Sequence, residues 1–448
     1  MDMNLFMDRL LKAAVEKGIS EAEVYCEEAD SFRAKAMEGA IQDYQVSSSS
    51  GLSLRGTVNG KMGYASTQAY DDAAIEQLIE GVKESAALTE AEEQDEIFAG
   101  EKEYPVLPKT ESDIDGVSAD RKLEACLNIE KAALAADKRI WKMQGTMLAT
   151  ATSKTYLRNT HGLNLSNESR YCMAYALAVA KDGESTGVGF GLDIGGNFAD
   201  IDPEKIGRKA SAEAVSQLHG KSVPAGEYRV VVRNDAMCDL LATFSSIFSA
   251  ENAQQNLSLL GGKEGTAIAS EAVTIMDDPL LPGGLATSAF DAEGSACRTK
   301  AVVDKGVLTT LLHSRKTARK QGVQSTGNAN RARYTSTVHV APTNFFFKPD
   351  DKDLSALMAD MGDGLVITEL GGLHSGANPA SGDFSLIAKG YTVKGGQREQ
   401  TVEQITVAGN FYQVLKQIKA VGSDLVFPGS SVGSPSVDVG TLTVSGGQ

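Results

Sequence analysis

The chain has 448 residues, of which 42% are hydrophobic and 23% charged, and its formal net charge is −16. This composition is typical of a globular protein large enough for two or three domains. Proteins that bind duplex DNA concentrate positive charge to neutralise phosphates, so an acidic chain with one short basic cluster at residues 315–320 argues against direct nucleic-acid binding.

The five cysteines are widely spaced and form no CxxC pair, which argues against both a disulfide framework and a cysteine zinc knuckle. The first 18 residues mix charged and apolar side chains at helical spacing, unlike a signal peptide. No apolar run reaches the length of a membrane span. We therefore expect a cytoplasmic protein that has no membrane partner.

The first half of the chain predicts the same order of elements twice, with an acidic linker near residues 88–115 between the copies. The first copy is a helix near 3–17, strands near 22–26, 32–36 and 42–47, a hairpin of 52–58 and 61–66 that turns at Asn59-Gly60, and a helix near 71–87. The second copy is a helix at 121–136, strands near 140–147, 154–159 and 172–180, a turn at Asp182-Gly183 into 186–192, and a helix near 203–218 capped by Asp202.

Hairpins predominate after Pro224. The predicted elements are a strand at 228–233, a helix at 235–248, a hairpin of 301–304 and 307–314, a hairpin of 384–394 and 399–407, a helix at 411–419 and a strand at 437–444. The predicted fold class is α+β. A duplicated helix–antiparallel meander–helix domain, residues 1–223, is followed by a β-rich domain of hairpins with a few helices, residues 224–448.

Local catalytic signatures are missing from the sequence. A zinc-peptidase helix needs two histidines one turn apart and a carboxylate, but the five histidines are isolated from one another. Residues 429–433 match GxSxG, yet Pro428 and Pro435 flank them and no helix is predicted after them, so we expect no nucleophile elbow.

Two loops are candidates for a binding groove. The glycine-rich loop at 371–385 could let a ligand backbone approach closely, or could be a solvent-exposed connection. The loop at 325–334 carries Arg331 and Arg333, which could clamp a carboxylate such as a peptide C-terminus, or could belong to a salt-bridged turn.

Several segments, taken in order along the whole chain, resemble the TldD/PmbA family, once described as modulators of DNA gyrase. These segments are residues 228–248, 290–294, 303–308, 325–331 and 382–385. The resemblance implies a heterodimeric peptidase. Its TldD-like subunit binds zinc through HExxxH on the helix after the first of these strands and through a cysteine near the C-terminus.

This chain departs from the zinc-binding pattern of that subunit. In the register that we favour, Ala242 and Thr243 stand where His-Glu would be, Ile247 stands for the second histidine, and no cysteine follows Cys297. Alkyl groups donate no lone pair to a metal. The resemblance therefore implies a TldE/PmbA-like subunit with no catalytic residue, metal or cofactor of its own. The substrate-groove candidates are Glu251, Asn252, Asn328, Arg331, His374 and Asp383.

The predicted function is that of a non-catalytic subunit in a TldD/TldE-type metallopeptidase complex that degrades or matures unfolded peptides. The expected partners are a zinc-bearing TldD-like subunit, an extended peptide and, in isolation, a second copy of the chain. Two alternatives stay open. One is a self-sufficient hydrolase assembled from distant residues, with His374, Asp383 and Glu251 as first candidates; the other is a peptide-binding homodimeric scaffold.

Overall fold

The computed structural model describes residues 2–89, 96–108 and 111–446, and it confirms the α+β class. The described helices are α1 Met3–Glu16, α2 Asp72–Leu88, α3 Ala119–Ala136, α4 Pro203–Ser216, α5 Asn234–Phe244, α6 Ala250–Gln254, α7 Arg315–Gln321, α8 Leu354–Met361, α9 Leu373–Gly376 and α10 Phe411–Gln417. Short 3-10 turns lie at Ile114–Gly116, Phe198–Asp200 and Ser245–Phe248. None of the helices in these ranges is long and apolar enough to cross a bilayer.

The strands form two large sheets, one in each half of the chain, and smaller sheets in the second half. In the first half they are β1 Glu21–Met37, β2 Ala40–Val58, β3 Lys61–Thr67, β4 Ile140–Asn159, β5 Asn164–Asp182 and β6 Ser185–Gly195. In the second half they are β7 Gly226–Val232, β8 Ile275–Asp277, β9 Lys300–Asp304, β10 Val307–Leu308, β11 Ala329–Asn330, β12 His339–Val340, β13 Phe345–Phe347, β14 Gly364–Gly371, β15 Asp383–Lys394, β16 Gln397–Asn410, β17 Ala420–Val421, β18 Val432–Gly433 and β19 Val437–Gly446.

The N-terminal sheet has the strand order β3-β2-β1-β4-β5-β6, and its two halves repeat the pattern helix, three-strand meander, helix. The predicted duplication is thus present. The antiparallel pair β1–β4 joins the two copies at the centre of the sheet. The helices lie on one face, where the alternate side chains of β1 and β5 pack against them as two apolar clusters.

The predicted strand boundaries in this sheet were wrong, because the strands are far longer than expected. The segments 22–26 and 32–36 belong to one strand, and residues 42–58 are continuous as well. The polar run between them resembles a turn in sequence, but its backbone stays in the ladder, with Asp30 opposite Ser48 and Ser31 opposite Ser47. The second copy repeats this correction in β4 and β5.

Turn and cap predictions were more accurate. Asn59 and Gly60 both have positive φ, as the two-residue hairpin turn requires, and Val58 pairs with Lys61. Asp202 accepts hydrogen bonds from the first turn of α4, as expected for a cap. The helix α4 also approaches β6 closely, because a Cβ on Gly189 would lie 2.1 Å from the carbonyl oxygen of Ala210.

The C-terminal part contains a closed barrel. Its main sheet has the order β16-β15-β14-β7-β19-β17, and β16 also pairs with β19, which closes the sheet on itself. A second sheet, β10-β9-β8-β13-β18, lies beside it. Both surround one apolar core in which the ring of Phe244 stacks on that of Phe411 at 4.6 Å. The predicted hairpins are present at both glycine turns.

Two C-terminal predictions need correction. The helix expected over 235–248 ends at Phe244, and a 3-10 turn follows so that Ile247 and Phe248 enter the core. The strand expected over 307–314 ends at Leu308, because Leu311 and Leu312 turn inward as a buried loop beside α6. The domain boundary at 223/224 stays a prediction.

The predicted linker is not a free connection where the structure describes it; residues 90–95 and 109–110 lie outside the described residues. Glu96 forms ion pairs with Arg315 and Arg319, at 2.8 and 2.7 Å, and the Arg315 guanidinium lies 3.6 Å from the centroid of the Phe98 ring. Tyr104 donates to the carbonyl oxygen of Gly294. The linker thus packs against the C-terminal part, and the acidic Glu96 neutralises part of the basic cluster.

Candidate functional site

A cavity of about 200 Å³ lies where the N-terminal sheet meets the C-terminal part. Its N-terminal wall is formed by side chains of β4 and β5 and by Tyr25 of β1, on the sheet face opposite the helices. Its C-terminal wall comes from residues 285–288, 290–292, Cys297, 327–331 and 341–343. The sequence segments 290–294 and 325–331, which carry the family resemblance, therefore meet at this cavity, which we call the junction cleft.

Arg331 crosses the junction and is buried there. Its guanidinium donates to Glu23 at 2.9 Å and to Ser53 at 3.2 Å, and its Cζ lies 4.6 Å from the Tyr25 ring centroid. The side chain is only 1% exposed. Of the two alternatives for this arginine, the described contacts support the salt-bridged role, because the carboxylate that it binds belongs to the chain itself.

Glu23 is shared with a second buried arginine. Arg55 donates two hydrogen bonds to Glu23, at 2.8 and 3.2 Å, and lies 3.8 Å from a carboxylate oxygen of Glu293. Burial alone would lower the pKa of Arg55, but the two carboxylates outweigh it and raise that pKa. Burial, followed by the neighbouring Arg55, lowers the pKa of Arg331 against the pull of Glu23. Two arginines and two glutamates thus form a charge-balanced group, which we call the junction network.

Asp291 organises the loops beside this network. Its Oδ1 accepts the backbone N–H groups of Glu293 and Ser295, and its Oδ2 accepts that of Ala329. Burial, and after it the Glu293 carboxylate, raises the pKa of Asp291 to about 7 in spite of these three donors. One side chain thereby ties together the two loops that line the junction cleft.

Two other polar residues of the cleft, Asn328 and Cys297, are buried. Asn328 donates to Asp277 at 2.9 Å and to the carbonyl of Ala341 at 3.1 Å, and it accepts from Thr326. Cys297 is 2% exposed, and burial raises the pKa of its thiol, so little of the nucleophilic thiolate forms. The cleft is thus a polar, neutral site without a reactive nucleophile at Cys297.

The three positions predicted to replace HExxxH differ in burial, and only Ile247 lies in the apolar core. Ile247 is fully buried in the C-terminal core, Ala242 is exposed on α5, and the hydroxyl of Thr243 donates to the carbonyl of Asp239. Only one of the three side chains carries an oxygen, and that oxygen belongs to a helix-internal bond. These three residues do not fit a zinc ion.

The remaining groove candidates form no hydrogen bonds with one another, as far as the structure describes them. Glu251 accepts from the backbone of Val340, and Asn252 donates to the carbonyl of Ser246. His374 is exposed in α9, while Asp383 accepts from Asn410 at the start of β15. Within the described ranges, no hydrogen bond or ion pair joins His374, Asp383 and Glu251, and no group of three or more His, Cys, Asp or Glu side chains is arranged for a metal.

Sequence reasoning missed Glu23, Arg55 and Glu293. A signal was available for Arg55, since it is a lone charge in the alternating apolar strand that contains Leu52 and Leu54. A charge in such a strand indicates a buried partner, but the partner lies 32 residues away and its identity depends on the register of β1 and β2.

Two helix–meander–helix copies, a β-rich barrel and a cleft between them match a known class of protein. Three family models described as PmbA/TldA metallopeptidase domain 1, central domain and C-terminal domain match residues 22–86, 112–218 and 225–446. Together they span most of the chain.

Individual relatives agree with this class. A protein from Thermotoga maritima, named as a modulator of a DNA gyrase, has 33% identity and a TM-score of 0.92, and the match covers 99% of this chain and 100% of that one. The chain therefore belongs to the PmbA/TldD family. The Metalloprotease PmbA homolog of Haemophilus influenzae is 26% identical over 97% of this chain and 94% of its own length. TldE from Thermococcus kodakarensis shares the fold, with 22% identity, a TM-score of 0.89 and coverage of 98% and 100%.

Proposed function

We propose that this chain is the non-catalytic, TldE/PmbA-like subunit of a metallopeptidase complex that degrades or matures unfolded peptides. Its partner is a TldD-like subunit that holds zinc. The reaction class is taken from the metallopeptidase family. The residues at the predicted zinc positions argue against zinc binding and catalysis by this chain, because they offer no suitable ligand. A cytosolic location stays a prediction from the sequence.

The observation that carries the proposal is the environment of Ile247. A zinc ligand must present a lone pair to an open coordination site, whereas this side chain is fully buried among the aromatic and aliphatic residues of the C-terminal core. Exchanging it for histidine would place an imidazole in an apolar environment without a partner, at a cost of about 1–3 kcal/mol. The segment after α5 is therefore suited to packing.

The test combines purification with metal analysis. The chain is produced alone and together with a TldD-like subunit that carries HExxxH, and each sample is assayed for zinc and for cleavage of denatured polypeptide. We expect a stable complex that contains zinc and cleaves, and an isolated chain that does neither. As a control, the partner's motif glutamate is replaced by glutamine, which should abolish cleavage while leaving the complex assembled.

Two outcomes would favour the alternatives. Stoichiometric zinc in the isolated chain, with cleavage that a chelator removes, would support a self-sufficient hydrolase. A chain that self-associates, binds peptides and ignores every TldD-like subunit at micromolar concentrations would support the homodimeric scaffold.

A further inference from the structure

The strand β5 has an unpaired edge. It pairs with β4 from Asn164 onward, but β6 pairs only with the part of β5 that begins at Cys172, opposite Gly195. Residues 164–171 thus have a strand neighbour on one side only among the described residues. The side chains along this segment are exposed or half-buried. Such an edge presents a row of backbone donors and acceptors that only another extended segment can match.

This free edge borders the junction cleft. Asn167 and Ser169, which lie on the unpaired segment, line the cavity from the N-terminal side. Leu285 and Asn330 lie on the opposite wall, and both are exposed. Because side chains alternate along a strand, a segment added to this edge would direct every second side chain toward the sheet face that carries Asn167 and Ser169.

The chemistry of the cleft selects for a neutral side chain. Asp291 is satisfied by three backbone donors, and Arg331 is paired with Glu23, so neither offers an uncompensated charge. The Nε of Arg331 is buried and has no hydrogen-bond partner among the described residues. It is a donor for a neutral acceptor such as an amide or carbonyl oxygen.

The first copy provides an internal comparison. In β2 the segment 41–51 is also unpaired on one side, because β3 begins opposite Leu52. The residues that line the junction cleft do not include any from this segment. The two copies therefore share a free edge, but of the two only the edge in β5 borders the junction cleft.

We propose that an extended polypeptide binds this chain by adding as a strand to residues 164–171 of β5, with an uncharged side chain in the junction cleft. The free edge calls for an extended backbone, and the cavity for a neutral side chain. That the ligand is an unfolded polypeptide rests on the proposed function. Backbone pairing makes recognition largely independent of sequence, as unfolded peptides require.

The experiment measures binding of a fluorescently labelled, uncharged, extended peptide to the full chain alone, by anisotropy. Leu285→Asp places a charge on the cleft wall and should weaken binding at least ~10-fold. Leu257→Asp is the matched control, because Leu257 is also an exposed leucine, 48% against 39% for Leu285, and it does not line the cleft. It should bind as the wild type does. Both variants are checked for an unchanged unfolding transition.

A second probe tests the backbone directly. Methylating every peptide nitrogen keeps the side chains but removes all the backbone donors, and it should abolish binding. Unchanged binding of the methylated peptide, or equal affinity of the Leu285→Asp and Leu257→Asp variants, would overturn the proposal. A concentration-dependent dimer that peptide cannot compete away would assign the edge to a second copy instead. The assay contains no zinc subunit, so its failure leaves the cleavage test of the complex unaffected.

Discussion

The junction network and the segment after α5 differ in how they use buried positions. At the junction, four charged side chains are almost completely buried and neutralise one another across two parts of the chain. At the end of α5 and just after it, the positions that correspond by our register to a zinc motif hold alkyl groups and one hydroxyl, and Ile247, the buried one, packs in an apolar core. The junction therefore buries paired charges, whereas Ile247 and Phe248 bury only apolar surface.

Mutations in the two regions should therefore change the free energy of unfolding in different ways. A buried charge cannot lose its partner without leaving another charge uncompensated, whereas an apolar site loses only contact area and leaves a cavity. Four changes, ordered by expected effect, test that difference.

The largest effect is expected from Arg331→Ala. The substitution leaves Glu23 buried with Arg55 as its remaining partner and should lower the free energy of unfolding by about 3–5 kcal/mol, measured by urea denaturation. Arg333→Ala, two residues away at an exposed position, should change it by less than about 0.5 kcal/mol. Equal effects of the two variants would show that the network is not a stabilising junction.

Ile247→Ala should cost about 3 kcal/mol, because the side chain is fully buried and the surrounding rings can collapse only partly. Ala242→Ser, on the exposed side of α5, should change stability by less than about 0.5 kcal/mol. Thermal or urea unfolding reports both. A tolerated Ile247→Ala would mean that this segment is not part of the core, and it would weaken the argument against metal binding.

Asp291→Asn should remove part of the pH dependence of the free energy of unfolding. The pKa of Asp291 is about 7 in the folded chain against a usual 3.8, so the folded state binds more protons between these values. The contribution of protonated Asp291 to the free energy of unfolding is fully present below pH 3.8. It is lost as the pH rises through 7, where the folded chain releases the proton. The unfolding free energy of the wild type minus that of the variant should fall by about 2 kcal/mol between pH 5 and pH 8. A difference that stays constant would contradict the raised pKa.

The smallest effect is expected from Glu96→Gln. The carboxylate is 46% exposed and pairs with Arg315 and Arg319, and hydrogen bonding to Arg315 is the main attraction that lowers its pKa against burial. The variant should lose about 0.5–1 kcal/mol at low ionic strength and less in concentrated salt. A loss that is insensitive to salt would indicate packing by the linker instead of ion pairing.

The sequence alone predicted the elements whose signals are local. The Asn59-Gly60 turn, the Asp202 cap, the first helix and the duplicated order of helices and strands follow from side-chain spacing and turn chemistry. The continuity of β1 and β2 was not predicted, because a serine-rich run has turn-like composition and only its pairing with a neighbouring strand reveals it as sheet.

The candidate site was less accessible to such reasoning. Asn328 and Arg331 were identified as candidates, and both line the junction cleft, but their partners Asp277 and Glu23 are remote in sequence. The local sequence of a strand does not predict which distant carboxylate an arginine or asparagine on it contacts. That partner depends on the strand register and on how the two parts of the chain pack together. Whether either residue contacts a substrate stays a prediction.

The closed barrel has a consequence for biosynthesis. Its first strand, β7, must wait for β19, which is made some two hundred residues later, before its second neighbour exists. Until then, the strand edges and the aromatic interior of the unfinished barrel are exposed to solvent. Such exposure and such distant pairing are associated with slow folding and with aggregation. We therefore expect the C-terminal half to leave strand edges unpaired for longer during synthesis than the locally connected N-terminal meanders do.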